Sequence, residues 1–187
     1  MEFFYDRSKP KPKEKSYGKL AVQQRMRLAM AFLNPLRPVI AESWLLQGKG
    51  SKKKAFGQAL KRLMEEAMEG EYPEQHVVPE RVTISTGMLP ALQVADVVHT
   101  PQELEVYFTS SDNPMAGASD EVVLVVYSPE AGVAGRNTHT CKRSDGSIKV
   151  ELPPPLWSSP FLAYLFVHSA TKKQYSRSTY IGHLSTS

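Results

Sequence analysis

The hydrophobic run Val122-Val123-Leu124-Val125-Val126-Tyr127 is the stretch that decides the fold. Successive side chains of a strand point to opposite faces of a sheet, so a half-buried strand alternates apolar and polar residues. In this run both alternating sets are apolar, which is typical of a strand that is covered on both faces. The run therefore predicts a central strand.

Shorter strand candidates surround this run, and turn residues separate most of them at intervals of roughly 8–12 residues, as in sandwiches and barrels. The predicted strands are Val82–Ser85, Leu92–Val98, Leu104–Thr109, Val122–Ser128, Thr138–Arg143, Ile148–Leu152, Phe161–His168 and Tyr175–His183. About seven to eight short antiparallel strands favour an immunoglobulin- or fibronectin-like antiparallel β-sandwich over residues 71–187. The predicted fold class is α+β and mainly β.

Turn chemistry predicts how two of these strands are connected. Ser144-Asp145-Gly146-Ser147 predicts a hairpin turn that joins Thr138–Arg143 to Ile148–Leu152. Pro153-Pro154-Pro155 cannot donate to a strand ladder, so it predicts a crossing from one sheet to the other.

Residues 19–70 are predicted to form a helical segment. Apolar residues recur near helical spacing in its first part, at Leu20, Val22, Met26, Met30 and Leu33. Asn34-Pro35 and Arg37-Pro38 interrupt this helix, because an internal proline removes a hydrogen bond, and a short helix is predicted to follow. A second long helix is predicted, with its N-cap at Ser51 and its C-cap at Gly70.

Residues 1–18 are predicted to form a basic extended arm. Prolines between the lysines favour extended backbone, and like charges repel one another. The three consecutive aromatic residues Phe3-Phe4-Tyr5 are costly to leave in water, so they are expected to anchor as a short edge strand. The alternative is that the whole segment is a disordered tail. The candidate subunit contacts are Phe3, Phe4, Tyr5, Arg7, Lys9, Lys11, Lys13 and Lys15.

Charge is unevenly distributed along the 187 residues. Residues 1–62 hold 15 Lys and Arg against 4 Asp and Glu, whereas residues 63–187 hold 8 against 15. Such an asymmetry suits a polyanion, or the acidic part of a neighbouring copy of the same chain. Lys52, Lys53 and Lys54 at the start of the second long helix oppose the helix dipole, which makes them candidates for contact with an anion.

The sequence offers no catalytic cluster to nominate, and we expect a non-enzymatic protein without metal, cofactor or small-molecule substrate. His139 and Cys141 are two residues apart and could share a strand face as metal ligands, but an ordinary strand pair is the simpler interpretation. A single cysteine excludes an intrachain disulfide. No apolar stretch reaches the length of a transmembrane helix, and no signal peptide is expected, so synthesis in the cytoplasm is predicted.

Several stretches carry a resemblance to a family of small, uncharacterised bacterial proteins that often occur in several copies per genome. They are Tyr5–Lys11, Phe32–Pro38, Gly70–Pro73, Ile84–Pro90, Asp120–Glu130 and Ser178–Gly182. Two departures are that family members usually begin with a glycine-rich segment before the arm, and that Ala91 stands where the family has glycine. The resemblance implies relatives of the same fold, but it implies no activity and supplies no catalytic residue.

Two functions from different classes follow from these patterns. The first is a structural or assembly protein, whose arm adds a strand to a neighbouring copy or to another assembly protein, as in an appendage, a filament, a phage-like tail or a virion. The alternative is a nucleic-acid-binding protein that uses the arm and Lys52–Lys54 to contact phosphates. A steep loss of binding as the salt concentration rises would favour the nucleic-acid-binding function.

Overall fold

The computed structural model describes residues 16–44, 52–169, 171 and 174–185. Three helices come first, namely α1 (Tyr17–Leu33), α2 (Arg37–Ser43) and α3 (Lys52–Glu66). The strands of the described part are β1 (Met68–Glu69), β2 (His76–Val77), β3 (Gln93–His99), β4 (Glu103–Thr109), β5 (Glu121–Ser128), β6 (Val133–Arg136), β7 (Cys141–Lys142), β8 (Ser147–Glu151), β9 (Phe161–Ser169), β10 (Gln174–Tyr175) and β11 (Thr179–Leu184). Most of the arm and the proposed N-cap Ser51 lie outside the described residues.

All of these strands pair antiparallel, which confirms the mainly β fold class. The large sheet has β9 and β5 at its centre, with β10 and β11 beyond β9, and β6 and β7 beyond β5. The small sheet has the order β3-β4-β8, and β1 pairs with β2 in a separate ribbon. The prediction that residues 122–128 form a central strand is therefore confirmed.

The large sheet is covered on both faces. Alternate residues of β5 and β9, such as Leu124 and Leu165, pack against the small sheet in one core. The residues between them, such as Val125 and Tyr164, pack against the three helices in a second core. The sandwich is thus confirmed and extended by a third layer, because the helices cover the face that a two-layer sandwich leaves to water.

The predicted hairpin at Ser144–Ser147 is wrong. Strand β7 pairs with β5 in the large sheet, whereas β8 pairs with β4 in the small sheet, so the connection crosses between sheets. It makes one turn of 3-10 helix at Arg143–Asp145 and then passes through Gly146 at a φ of 75°. The predicted crossing at Pro153–Pro155 is confirmed, since it leads from β8 to β9.

A buried ion pair holds the unexpected crossing in place. The side chains of Arg143 and Asp120 are both almost fully buried, and Nε of Arg143 lies 3.6 Å from Oδ2 of Asp120. Arg143 also donates through Nη2 to the carbonyl oxygen of Pro90 at 2.7 Å. This pair ties the start of β5 to the crossing, so the chain leaves the large sheet at that point.

Other elements also differ from the predictions. The predicted strand Tyr175–His183 is divided into β10 and β11, and of Thr138–Arg143 only Cys141–Lys142 forms a strand. Residues Val82–Ser85 are buried but form no strand, because two serine side chains bind the backbone of Ile84. Oγ of Ser43 donates to the carbonyl oxygen of Ile84, and the N–H of Ile84 donates to Oγ of Ser178. Strand β6 was not predicted. Helix α3 ends at Glu66, so Gly70 is not its C-cap and instead lies in the β1–β2 turn at a φ of 81°.

Candidate functional site

The contact residues predicted from the sequence lie mostly outside the described part of the chain. This applies to Phe3, Phe4, Tyr5, Arg7, Lys9, Lys11, Lys13 and Lys15. Lys52, Lys53 and Lys54 lie in the first turn of α3, and Lys54 is exposed. Their role in binding an anion stays a prediction. The described chain begins at Ser16, so the arm joins the molecule at the N-terminus of α1.

The helix layer is strongly basic. Helices α1, α2 and α3 together contain nine Lys and Arg residues and three Glu residues. The β1–β2 ribbon beside α1 adds Glu69, Glu71 and Glu74, so the positive excess of this side is smaller than the helices alone give, but it still favours anionic partners.

An apolar stripe runs along the exposed side of α1 within this basic layer. The sequence pattern placed Val22, Met26 and Met30 on the apolar face of the helix, yet all three are exposed. They recur every four residues, so they lie on one side of the helix. Ala29, Phe32 and Leu33 are the residues that α1 buries against the sheet. We call Val22, Met26 and Met30 the α1 stripe.

A shallow groove continues from the α1 stripe onto α3. Its volume is about 350 Å³, and Met26, Gly57, Leu60 and Met64 supply its apolar lining. Arg25 fixes the spacing of the two helices, because Nη2 donates to the carbonyl oxygen of Met64 at 2.6 Å. The helix layer therefore presents an apolar surface to the solvent with basic residues around it.

The opposite outer layer, the small sheet, is acidic. Its three strands contain Asp96, Glu103, Glu105 and Glu151 against one lysine, Lys149. The strand register places the carboxylates on the outer face. Glu105 of β4 pairs with the exposed Val98 of β3 and with Lys149 of β8, and Glu103 pairs with Glu151 of β8. Val98 and Tyr107 are large and exposed on the same face. We call this surface the acidic face.

Two pKa directions agree with the excess negative charge of the acidic face. The carboxylate of Glu105 raises the pKa of the Tyr107 hydroxyl, and partial desolvation adds to this effect. A hydrogen bond from Lys149 to Glu103, with Nζ 2.9 Å from Oε2, raises the pKa of the lysine. Negative charge stabilises the protonated form of both groups, so this face also attracts cations.

A polar groove of about 480 Å³ lies between α2 and the edge of the large sheet. One ion pair in it joins Arg136 to Glu42 at 2.8 Å. Nδ1 of His168 lies 3.7 Å from a carboxylate oxygen of Glu121, and its ring stacks on Tyr175 with centroids 4.6 Å apart. These charged groups already have partners within the groove, so it offers less unsatisfied charge than either outer layer.

The edge of β5 beside this groove is closed by a side chain. Oδ1 of Asn137 accepts from the N–H of Leu124 at 2.9 Å, and Nδ2 donates to the carbonyl oxygen of Val122 at 3.3 Å. The amide thus takes the place of a paired strand between β6 and β7. Burial raises the pKa of the nearby Cys141 thiol to about 11, so the thiol is protonated at neutral pH and is a poor nucleophile.

Within the described residues, no group of three or more His, Cys, Asp or Glu side chains is placed to hold a metal ion. His139 and Cys141, the pair considered in the sequence, therefore have no third ligand of that kind in this part of the chain. No helix of the described part is both long and apolar enough to cross a membrane.

Comparison with protein families matches residues 3–182 to a family of unknown function, DUF6266. The chain belongs to DUF6266. The match covers nearly the whole DUF6266 chain and begins at Phe3, so it includes the arm. No curated protein matches the chain significantly.

Sequence reasoning missed the exposed surfaces of the DUF6266 chain. The stripe on α1 was treated as a core face because large apolar residues usually define that face. The available signal in α1 was the set Ala29, Phe32 and Leu33, which is spaced by three and four residues and which the structure buries. The acidic face could be predicted only in part, from Glu103 and Glu105, which alternate with apolar residues in β4.

Proposed function

We propose that this chain is a non-enzymatic assembly subunit, which binds other copies of itself or another assembly protein through its basic N-terminal region. The observation that carries the proposal is the opposite charge of the two outer layers. Nine basic residues against three acidic residues occupy the helix layer, and four acidic residues against one basic residue occupy the small sheet. One copy therefore attracts the next in a fixed orientation.

The arm is also basic. It precedes α1 in the chain, and its lysines at positions 9, 11, 13 and 15 add to the positive charge of the N-terminal region. The family match includes the arm, which supports a role shared among relatives. We further infer that these relatives are the small bacterial, often multi-copy proteins that the sequence resembles, and that their arms act alike.

A contact between two different surfaces of identical subunits closes into a ring or continues as a filament. An appendage, a phage-like tail or a virion is the kind of assembly that such a subunit suits. In this proposal the protein is made in the cytoplasm and acts in the assembled particle.

The mass of the full chain in solution, measured by light scattering at low and high salt, tests the proposal. We expect a particle larger than a monomer that persists at high salt, because apolar contacts and backbone hydrogen bonds are weakly screened. The full-length variant with glutamine at Lys9, Lys11, Lys13 and Lys15 should assemble more slowly. If this variant assembled at the wild-type rate, steering by the arm would be wrong, and a wild-type monomer in all conditions would overturn the assembly function.

Nucleic-acid binding is the second candidate, and the basic helix layer favours it. Lys52, Lys53 and Lys54 lie together in the first turn of α3, on the layer that the arm joins. Against it, the exposed apolar residues of the α1 stripe occupy that same layer, and phosphates gain nothing from them. Titration with a single-stranded and a double-stranded oligonucleotide distinguishes the candidates, since phosphate binding must fall log-linearly as salt rises.

A further inference from the structure

An apolar patch remains exposed on each outer layer of the molecule. On the helix layer, Val22 is 64% exposed, Met26 41% and Met30 37%. They follow one side of α1 over eight residues, a length of about 12 Å. Exposed apolar residues grouped in this way, with charged residues around them, are typical of protein contact sites.

The patch on the acidic face is smaller and is centred on two neighbouring strands. Val98 is 48% exposed and Tyr107 is 39% exposed. Tyr107 pairs with Asp96, two residues from Val98, so the two apolar side chains are diagonal neighbours on one face. Tyrosine suits such a position, because it offers a large contact area with a polar end.

The charges around the two patches are opposite. Exposed Lys19 and Arg27 flank the α1 stripe, while Lys61 at the groove beside it pairs with Glu65 at 3.8 Å. Glu105 lies opposite Val98 and Asp96 lies opposite Tyr107, while Glu103 and Glu151 lie further along the face and Lys149 is its one lysine. Two copies that met through like patches would bring like charges together, whereas unlike patches bring opposite charges together.

We infer that copies of this chain stack head to tail, with the α1 stripe of one copy seated on Val98 and Tyr107 of the acidic face of the next copy. This inference rests on the proposed self-association and names its two surfaces. The patches lie on opposite outer layers, so a bound pair still has one free surface of each kind. The contact therefore repeats along a chain of subunits.

The test uses two full-length variants, each of which is blocked on one of the two surfaces. Met26→Asp places a carboxylate in the α1 stripe, and Val98→Asp places one in the apolar patch of the acidic face. Val22→Asp provides a second helix-layer variant at the most exposed position of the stripe. Met88→Asp is the matched control, because Met88 is 78% exposed and lies outside both patches. Circular dichroism confirms that each variant is folded, and light scattering measures its mass.

We expect each blocked variant to associate at least tenfold more weakly than the wild type, and Met88→Asp to associate normally. Mixing Met26→Asp with Val98→Asp should restore a single contact and give a dimer of one copy of each. No further growth is possible, because the two remaining surfaces of that dimer are both blocked.

Other results overturn the inference in identifiable ways. If Met26→Asp lost association but Val98→Asp kept it, the helix layers would contact one another and the head-to-tail arrangement would be wrong. It would also be wrong if both variants lost association and their mixture gave no dimer. If both blocked variants assembled like the wild type, association would use other surfaces, while the assembly function itself would stand. A wild-type chain that stays monomeric would instead overturn the proposed function.

Discussion

At the scale of single residues, Gly87 has the least room for a side chain among the glycines that the structure describes. A Cβ atom there would lie 2.0 Å from the carbonyl oxygen of Tyr175. The approach is between backbones, since the N–H of Leu89 donates to this same oxygen at 3.1 Å. Neither partner can rotate away, so the contact depends on glycine.

Replacing Gly87 with alanine is therefore expected to destabilise the protein by about 3 kcal/mol, the upper end of the usual cost of overpacking. Urea unfolding measures this change. Gly57→Ala is the matched control, because nothing lies within 4 Å of its added Cβ and it lies within α3. The control should stabilise the helix by about 1 kcal/mol. Equal effects at the two positions would contradict this account.

Buried tyrosine and cysteine side chains, Tyr127 and Cys141 among them, make stability depend on alkaline pH. Burial raises the pKa of Tyr127 from 10.0 to about 12, and burial raises the pKa of Cys141 from 9.0 to about 11. In each case the folded state holds the proton more tightly than the unfolded state. Their contribution is fully present below pH 9 and is lost as the pH rises through 11 and 12.

The free energy of unfolding in urea should therefore fall steeply between pH 9 and pH 12. Tyr127→Phe removes one of these groups and should flatten this fall without altering it below pH 9. An unchanged slope in the variant would show that Tyr127 remains as acidic in the fold as in the unfolded chain.

At the scale of elements, α3 carries charge that opposes its own dipole. Lys52, Lys53 and Lys54 lie in its first turn, while Glu65 and Glu66 lie in its last. Replacing the three lysines with glutamate should raise helix stability by a few tenths of a kcal/mol per site. The same change should weaken self-association, because it reduces the positive charge of the helix layer.

Thermal unfolding and light scattering check both effects in one variant. Gln58→Glu is the control, because Gln58 is exposed in the middle of α3, away from the N-terminal turn. Normal assembly by the triple variant would remove these lysines from the contact.

The elements themselves were largely predictable from the sequence, but the side that each helix buries was not. Strand β5 was identified because both of its faces are apolar, and the α1–α2 break because proline ends helices. The predicted apolar face of α1 was wrong at Val22, Met26 and Met30, which are exposed, and right at Leu33, which is buried. Arg25 of the same helix donates to the carbonyl oxygen of Met64 in α3.

The connection after β7 illustrates a second limit. A Ser-Asp-Gly-Ser turn between two strands usually joins a hairpin, and local chemistry alone favours that outcome. The chain crosses between sheets because Arg143 pairs with Asp120, 23 positions earlier in the sequence. Such a long-range buried pair leaves no local pattern, so the crossing could be found only in the structure.

The candidate site, too, was only partly predictable from the sequence. The sequence shows that the N-terminal third is basic and the remainder acidic. It does not show that the helices cover one face of the large sheet while the small sheet covers the other. That layer order converts a difference along the chain into two surfaces on opposite sides of the molecule.

At the scale of the whole molecule, the helices and the large sheet share one of the two cores. Val125, Tyr127 and Tyr164 of the large sheet are buried under the helices, with at most 1% of their surface exposed. A chain that lacked the helices would leave these side chains in water. We therefore expect the full chain to unfold in a single cooperative step.

Far-ultraviolet and near-ultraviolet circular dichroism in urea should give coincident transitions for the full chain. The fragment of residues 71–187 should aggregate or bind a hydrophobic dye, because its large sheet has an uncovered apolar face. A soluble, dye-free fragment that unfolds cooperatively would show instead that the sandwich is an independent domain.

The separation of charge between the two outer layers also gives the molecule an electric dipole, which points across its layers. Two copies that diffuse together turn in each other's field before any atoms touch, so a larger share of their encounters begins in the productive orientation. Added salt shortens the range of this torque to about 8–10 Å. The rate of growth should therefore respond to ionic strength much more than the lifetime of each finished contact.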